Sequence, residues 1–172
     1  MTNNQRSGRQ LEILHEEHVS VLDKLVLLTQ AIRAPQTVMN SALPRYRALL
    51  LALLNDLDGL VDDHFRQEEQ YLFPLLREAG KHDLADSLAL EHLAIRQAAL
   101  PVLGHVRNAL AANPSDDEWK EFSRLTTALV DIKRAHVQRE ETEVVPVLQA
   151  IAARDRSQFP QPLPQPLPQA AS

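Results

Sequence analysis

The stretch HFRQEEQYLFPLL (64–76) is matched 72 residues further on by HVQREETEVVPVL (136–148). Aligned position by position, the two share the histidine, a pair of glutamates four and five residues on, a proline ten residues on and a final leucine. Apolar residues surround these positions at helical spacing, so the repeated His and Glu fall where a helix buries leucine. A second coincidence accompanies the first: Glu17-His18 recurs 74 residues later as Glu91-His92. The two halves of the chain read as copies of one helix-hairpin unit.

Composition narrows what such a repeat can be. A chain of 172 residues fills one good hydrophobic core and is short for two ordinary domains. It is rich in Leu and Ala, has four Gly and lacks the alternation of strands, so an all-α fold is expected. There is no Cys, which excludes disulfides, thiolate zinc sites, iron–sulfur clusters and cysteine nucleophiles together; any metal must be held by nitrogen and oxygen. A net charge of −5 with no basic run argues against nucleic acid as a partner. The amino-terminal MTNNQRSGRQ has no apolar core, and the longest apolar run, ALLLALL, is far below a membrane span. The expectation is a soluble cytoplasmic protein with no membrane contact.

Breakers divide the chain into four long helical patterns. The first runs from about Gln10 to Ala34 before Pro35; the second from about Ser41, with Pro44 in its first turn, to Ala79 before Gly80. The third follows a turn around Lys81 to Asp83 and reaches about Ala112. The fourth opens on Ser115-Asp116-Asp117-Glu118, a capping-box pattern, and runs to about Arg154. Short connections make consecutive helices antiparallel neighbours, which predicts an up-down-up-down antiparallel four-helix bundle over residues 10–156, after a flexible amino terminus (1–9). From Ser157 the composition changes to SQFPQPLPQPLPQAAS, with proline at every second position from Pro160 to Pro168. This Pro/Gln-rich segment (157–172) is expected to be a disordered or extended tail, and its prolines never meet the P-x-x-P spacing.

Each helical pattern carries an apolar seam of the kind that faces a bundle interior, with steps of three and four residues. The seams read Leu11, Leu14, His18, Val21, Leu25, Leu28, Ile32; then Leu50, Leu54, Leu57, Val61, His64, Glu68, Tyr71, Leu75; then Ala85, Leu88, His92, Ile95, Ala99, Val102, Val106; then Phe122, Leu125, Leu129, Ile132, His136, Glu140, Glu143, Val147. All four carry a histidine. One seam histidine is ordinarily a core residue bonded to a carbonyl. Four of them, two with a carboxylate one turn on, need more, because buried ionised carboxylates demand either protons or cations. His and Glu at i, i+4 lie about 5–6 Å apart on one face, a spacing from which they can converge on one metal or on two adjacent metals. With the two-fold repeat, this places two metals near the bundle axis, each with two histidines, bridged by Glu68 and Glu140. Imidazole with carboxylate suits iron, manganese or zinc. The ferritin-like bundles need Glu-x-x-His on two helices, and here only Glu12 to His15 has that spacing. Neutral imidazole in place of anionic ligands raises a reduction potential and favours a resting diferrous pair.

On His64-Phe65-Arg66-Gln67-Glu68-Glu69, its partner from His136 and the two Glu-His pairs, the sequence strongly resembles the hemerythrin-like family, also called the HHE cation-binding domain, over about residues 11–152. The resemblance implies a four-helix bundle around two non-haem iron ions, oxo- or hydroxo-bridged, with His18, His64, Glu68, His92, His136 and Glu140 as ligands. It implies O2, nitric oxide or peroxide as the small-molecule partner. Oxygen carriers of the family have a fifth histidine four residues beyond the one matching His92, and here Arg96 stands there.

Tyr71 and Glu143 hold matching places seven residues after His64 and His136, nearly the same helix angle, and are candidates to reach the metals or a bound oxygen species. Glu69 and Glu141, one residue off the seam, and Glu17 and Glu91, beside ligand histidines, are read as outer groups that orient imidazoles or face solvent. His15 flanks the seam as a further candidate, while His82 and His105 are read as solvated. The favoured function is a di-iron protein that binds or senses O2 or a related small oxidant. Two alternatives stay open: an enzyme or scavenger turning over peroxide or nitric oxide, and a metal-stabilised interaction protein whose tail or dimer face recruits a partner.

Overall fold

The structure, a computed structural model, describes residues 44–55, 61–112 and 114–158, together with residues 16, 18–19, 23, 26–27, 29–30 and 32–33 of the first segment. The expected flexible amino terminus, His15, Glu17 and the proline-rich tail beyond Gln158 lie outside the described residues.

All regular structure among the described residues is helical. The described residues of the first segment, between 16 and 33, are helical. Helix α1 is Pro44–Asn55 and α2 is Val61–Gln67, which passes through a π-helical turn, Glu68–Leu72, into α3, Phe73–Glu78. Helix α4 is His82–Ala111 and α5 is Asp116–Arg139, which passes through a second π-helical turn, Glu140–Val144, into α6, Val145–Gln158. The fourth helical pattern thus extends four residues past its expected end, into the first two residues assigned to the tail.

The ends form where their residues dictate. At the close of α3, Gly80 takes φ 76°, while Lys81 N–H donates to Leu76 O (2.8 Å) and Gly80 N–H to Arg77 O (2.9 Å). This Schellman pair satisfies carbonyls the helix leaves over, and only glycine adopts its left-handed residue without strain. At the start of α5, Glu118 N–H donates to Ser115 Oγ and Ser115 N–H to a Glu118 carboxylate oxygen, completing the capping box that the sequence predicted.

Two apolar clusters flank the middle of the molecule. One gathers Ile32, Leu50, Phe65, Ile95, Ala99, Val102, Val106, Trp119, Phe122, Leu129 and Val130. The other gathers Leu72, Phe73, Leu76, Ala85, Leu88, Val144 and Leu148. The second shows that the seam slips after each π-turn. Tyr71 and Leu75 were expected inside, and Leu72 and Leu76 are buried in their place; Glu143 and Val147 were expected, and Val144 and Leu148 are buried. A π-turn closes its hydrogen bond over five residues instead of four, as Phe73 N–H to Glu68 O and Val145 N–H to Glu140 O do here. It therefore consumes one extra residue and advances the buried face by one.

The repeated prolines contribute to these turns. Pro74 and Pro146, each second in the helix that follows, have no N–H for the carbonyl four residues back and crowd it. Proline alone does not suffice, since Pro101 lies within α4, which has no π-turn.

Candidate metal centre

Between the two apolar clusters lies a polar one. His18, His64, Glu68, His92, His136 and Glu140, drawn from the first segment, α2, the two π-turns, α4 and α5, are all buried, none above 3% exposed. They form two overlapping groups, one of His18, His64, Glu68 and Glu140 and the other of Glu68, His92, His136 and Glu140. In each group the candidate ligand atoms lie within 4.8 Å of one another. Both carboxylates belong to both groups, so a cation in each would share them.

The repeat in sequence becomes a repeat in distance. His64 Nε2 lies 3.1 Å from Glu68 and His136 Nε2 3.3 Å from Glu140, each four residues along its own helix. Across the halves, His18 Nε2 lies 3.1 Å from Glu140 and His92 Nε2 3.2 Å from Glu68. Behind these rings, His18 Nδ1 meets Glu141 and His92 Nδ1 meets Glu69, both at 2.7 Å, and His136 Nδ1 meets Glu91 at 2.8 Å. Each glutamate pair therefore grips one imidazole of the opposite half at both nitrogens.

These contacts fix the tautomers. A carboxylate only accepts, so the Nδ1 atoms of His18, His92 and His136 carry protons, and in the neutral rings Nε2 presents its lone pair. Those Nε2 atoms and Glu140 Oε2 have no hydrogen-bond partner, although they sit 3.1–3.3 Å from carboxylate oxygen or imidazole nitrogen. Lone pairs facing each other at this distance repel, and a buried carboxylate charge is costly; a cation between them makes both contacts attractive. The donor set fits a pair of cations.

The imidazoles differ in their response to protons. Burial pushes His64 down to about 3 and His92 down to about 2, with Lys133 adding to the effect at His64, and His136, Arg96 and Lys133 at His92. Both are neutral at pH 7, the form that ligates metal. Burial also opposes charge on His18, but the Glu140 and Glu141 carboxylates beside it outweigh burial and hold that ring above the ordinary value.

The structure corrects two expectations. Tyr71 (56% exposed) and Glu143 are turned to the surface rather than toward the centre, because the π-turns advance the buried face past them. Glu143 accepts from Arg139 Nε at 2.9 Å, and Arg139 also donates to Glu91, which holds His136 Nδ1. Arg96, standing where the carriers have a fifth histidine, donates to Glu69 at 2.9 Å and so steadies the acid behind His92. His82 is exposed, and His105 is half-buried beside Phe122.

Two central residues escaped the sequence reading. Phe65 is fully buried among the imidazoles, its ring centroid 3.8 Å from that of His92, 5.5 Å from His136 and 5.8 Å from His64. Lys133 is buried, with Nζ 4.2 Å from the Phe65 centroid. The signal for Lys133 was its spacing: Leu129, Lys133 and His136 step by four and three, whereas Ile132, preferred for its apolarity, is 38% exposed.

No described helix is long and apolar enough to cross a membrane. Comparison with curated proteins and with solved structures returns no match. The sequence does match the hemerythrin HHE cation-binding domain over residues 9–148. That span takes in the Glu-His pairs and both His-Glu repeats, and the chain belongs to the hemerythrin family of cation-binding domains.

Proposed function

We propose that this chain is an up-down-up-down four-helix bundle that holds two non-haem iron ions and binds or senses O2 or a related small oxidant in the cytoplasm. The observation that carries the reading is the convergence of imidazole lone pairs on two shared carboxylates, with acids fixing the tautomer from behind. His18, His64, Glu68 and Glu140 would hold one iron, and His92, His136, Glu68 and Glu140 the other. Iron is favoured by family membership, and the same donors also accept manganese or zinc. When bound, the pair supplies reversible one-electron chemistry. The chain's part is to hold the imidazoles of His18, His92 and His136 in the Nδ1–H form and exclude water with the apolar clusters on either side. A groove lined by Glu91, Ile95, Ile132, His136 and Arg139 borders the centre at His136.

The test is metal analysis of anaerobically purified protein, followed on the same sample by its visible spectrum before and after air is admitted and removed. About two irons per chain with a charge-transfer band that forms in air and reverses supports binding or sensing. Irreversible oxidation with sustained consumption of peroxide or nitric oxide replaces it by the enzyme or scavenger reading. A folded chain with zinc alone removes the oxidant.

A further inference from the structure

Lys133 has no role in the arrangement described so far. It is 7% exposed, and its Nζ is buried with no hydrogen-bond partner and no ion pair among the described residues. Its charge is nevertheless felt by Glu68 and Glu140, which raise its pKa against a larger lowering by burial. The Phe65 face 4.2 Å away stabilises an ammonium but leaves its N–H donors unused. Burying an amine with no acceptor costs several kcal/mol, and a hydrophobic side chain of similar length would fill the same volume. The repeat shows that alternative: the counterpart of Lys133, 72 residues earlier, is Val61. A donor has therefore been placed on one side of a centre whose carboxylates and imidazoles are already committed to cations.

We propose that Lys133 is a ligand-recognition residue, donating a hydrogen bond to a small monoanion that occupies an added coordination position on the metal pair. The inference rests on the iron-pair reading above and narrows its ligand to a class. Two carboxylates do not neutralise two cations of charge +2 or more, and the net positive charge that remains attracts an anion to the same centre. Phe65 and Phe73, stacked on His92, put apolar rings beside the centre.

Azide is a suitable probe, added to the full-length, iron-loaded, air-oxidised chain. Its affinity is read from the charge-transfer band, and its antisymmetric stretch is read in H2O and in D2O. The expected result is that K133M keeps about two irons per chain and wild-type helicity but binds azide at least about tenfold more weakly, the loss of a hydrogen bond to a charged group. The azide stretch should shift in D2O for the wild type and not for K133M. Nitric oxide binding to the reduced protein should change by less than about threefold, since a neutral ligand does not draw on the charge. Equal azide affinity in two-iron K133M overturns the inference and leaves the iron reading standing, as does an equal weakening of nitric oxide. A wild-type chain that holds no iron pair overturns both. If K133M does not load iron, the wild-type isotope shift and K133Q, which keeps an N–H donor, decide: no D2O shift in either overturns the role of Lys133.

Discussion

Stripped of metal, the bundle should lose stability as the pH falls from 7 to 5. In the folded chain His64 titrates at about 3 and His92 at about 2, both held down first by burial, against 6.5 for an unperturbed ring. Between those limits the unfolded chain takes up protons that the folded chain refuses, so stability rises with pH. The stabilisation is fully present above about pH 6.5, is lost as the pH falls below it, and stops declining near the folded values. Each ring then loses about 2 kcal/mol between pH 7 and 5. His18 opposes this: its folded value is raised, so its contribution is present in acid and fades as the pH rises through that value. The net loss should be about 3–4 kcal/mol, or a drop in Tm of roughly 6–16 °C for a chain of this size. The assay is thermal and urea unfolding by circular dichroism with chelator present at constant ionic strength. His64→Leu should remove about half of the slope, which separates the buried rings from surface carboxylates that also titrate in acid. Metal-free stability that is flat or increasing between pH 7 and 5 would refute the burial argument.

Glu68→Gln should reduce metal to about one ion or fewer per chain while raising the Tm of the metal-free protein, since it removes a buried charge; metal analysis and calorimetry check both signs. Glu69→Gln keeps an acceptor for His92 Nδ1 but not its charge, and chelator competition should show about 10- to 100-fold weaker metal binding with unchanged helicity. Ser115→Ala removes the cap of α5 and should destabilise by about 1 kcal/mol in urea unfolding without altering metal content. Gly80→Ala should cost a similar amount, about 1 kcal/mol, through backbone strain alone: φ is 76° and nothing lies within 4 Å of an added Cβ.

How much of this was legible varies with the kind of residue. The histidines and the acids four residues after two of them were readable because helical periodicity holds up to Glu68 and Glu140, and a polar residue on an apolar seam stands out. Ser115 and Gly80 were readable because local chemistry decides a cap or a left-handed turn. Beyond each Glu pair the arithmetic of 3.6 residues per turn fails. Tyr71 and Glu143 were assigned inward on that period, and the π-turns put Leu72 and Val144 there instead. Lys133 was passed over for the opposite reason: its spacing was right and its type was wrong, since a buried lysine contradicts the preference by which seams are recognised. The ion pairs behind the rings, Arg96 to Glu69 and Arg139 to Glu91, join residues 27 and 48 positions apart, and no single-helix pattern encodes them.

The doubled glutamates explain why the repeat must be kept whole. Two consecutive residues of a helix point about 100° apart and cannot both face one point, yet they can reach opposite edges of a single ring. Glu68 and Glu69 do this to His92, at Nε2 and Nδ1, and Glu140 and Glu141 do it to His18. In both cases the ring belongs to the other half of the chain. A hairpin carrying His64, Glu68 and Glu69 thus holds its own shared carboxylate, but the imidazole that its glutamate pair orients comes from α4. Neither half contains a complete group of donors, and the acids that fix the tautomers of His18 and His92 each come from the other half. The two copies have therefore become interdependent, and the residue that ties each to the other is the second glutamate of the pair, which the seam pattern alone assigns to the surface.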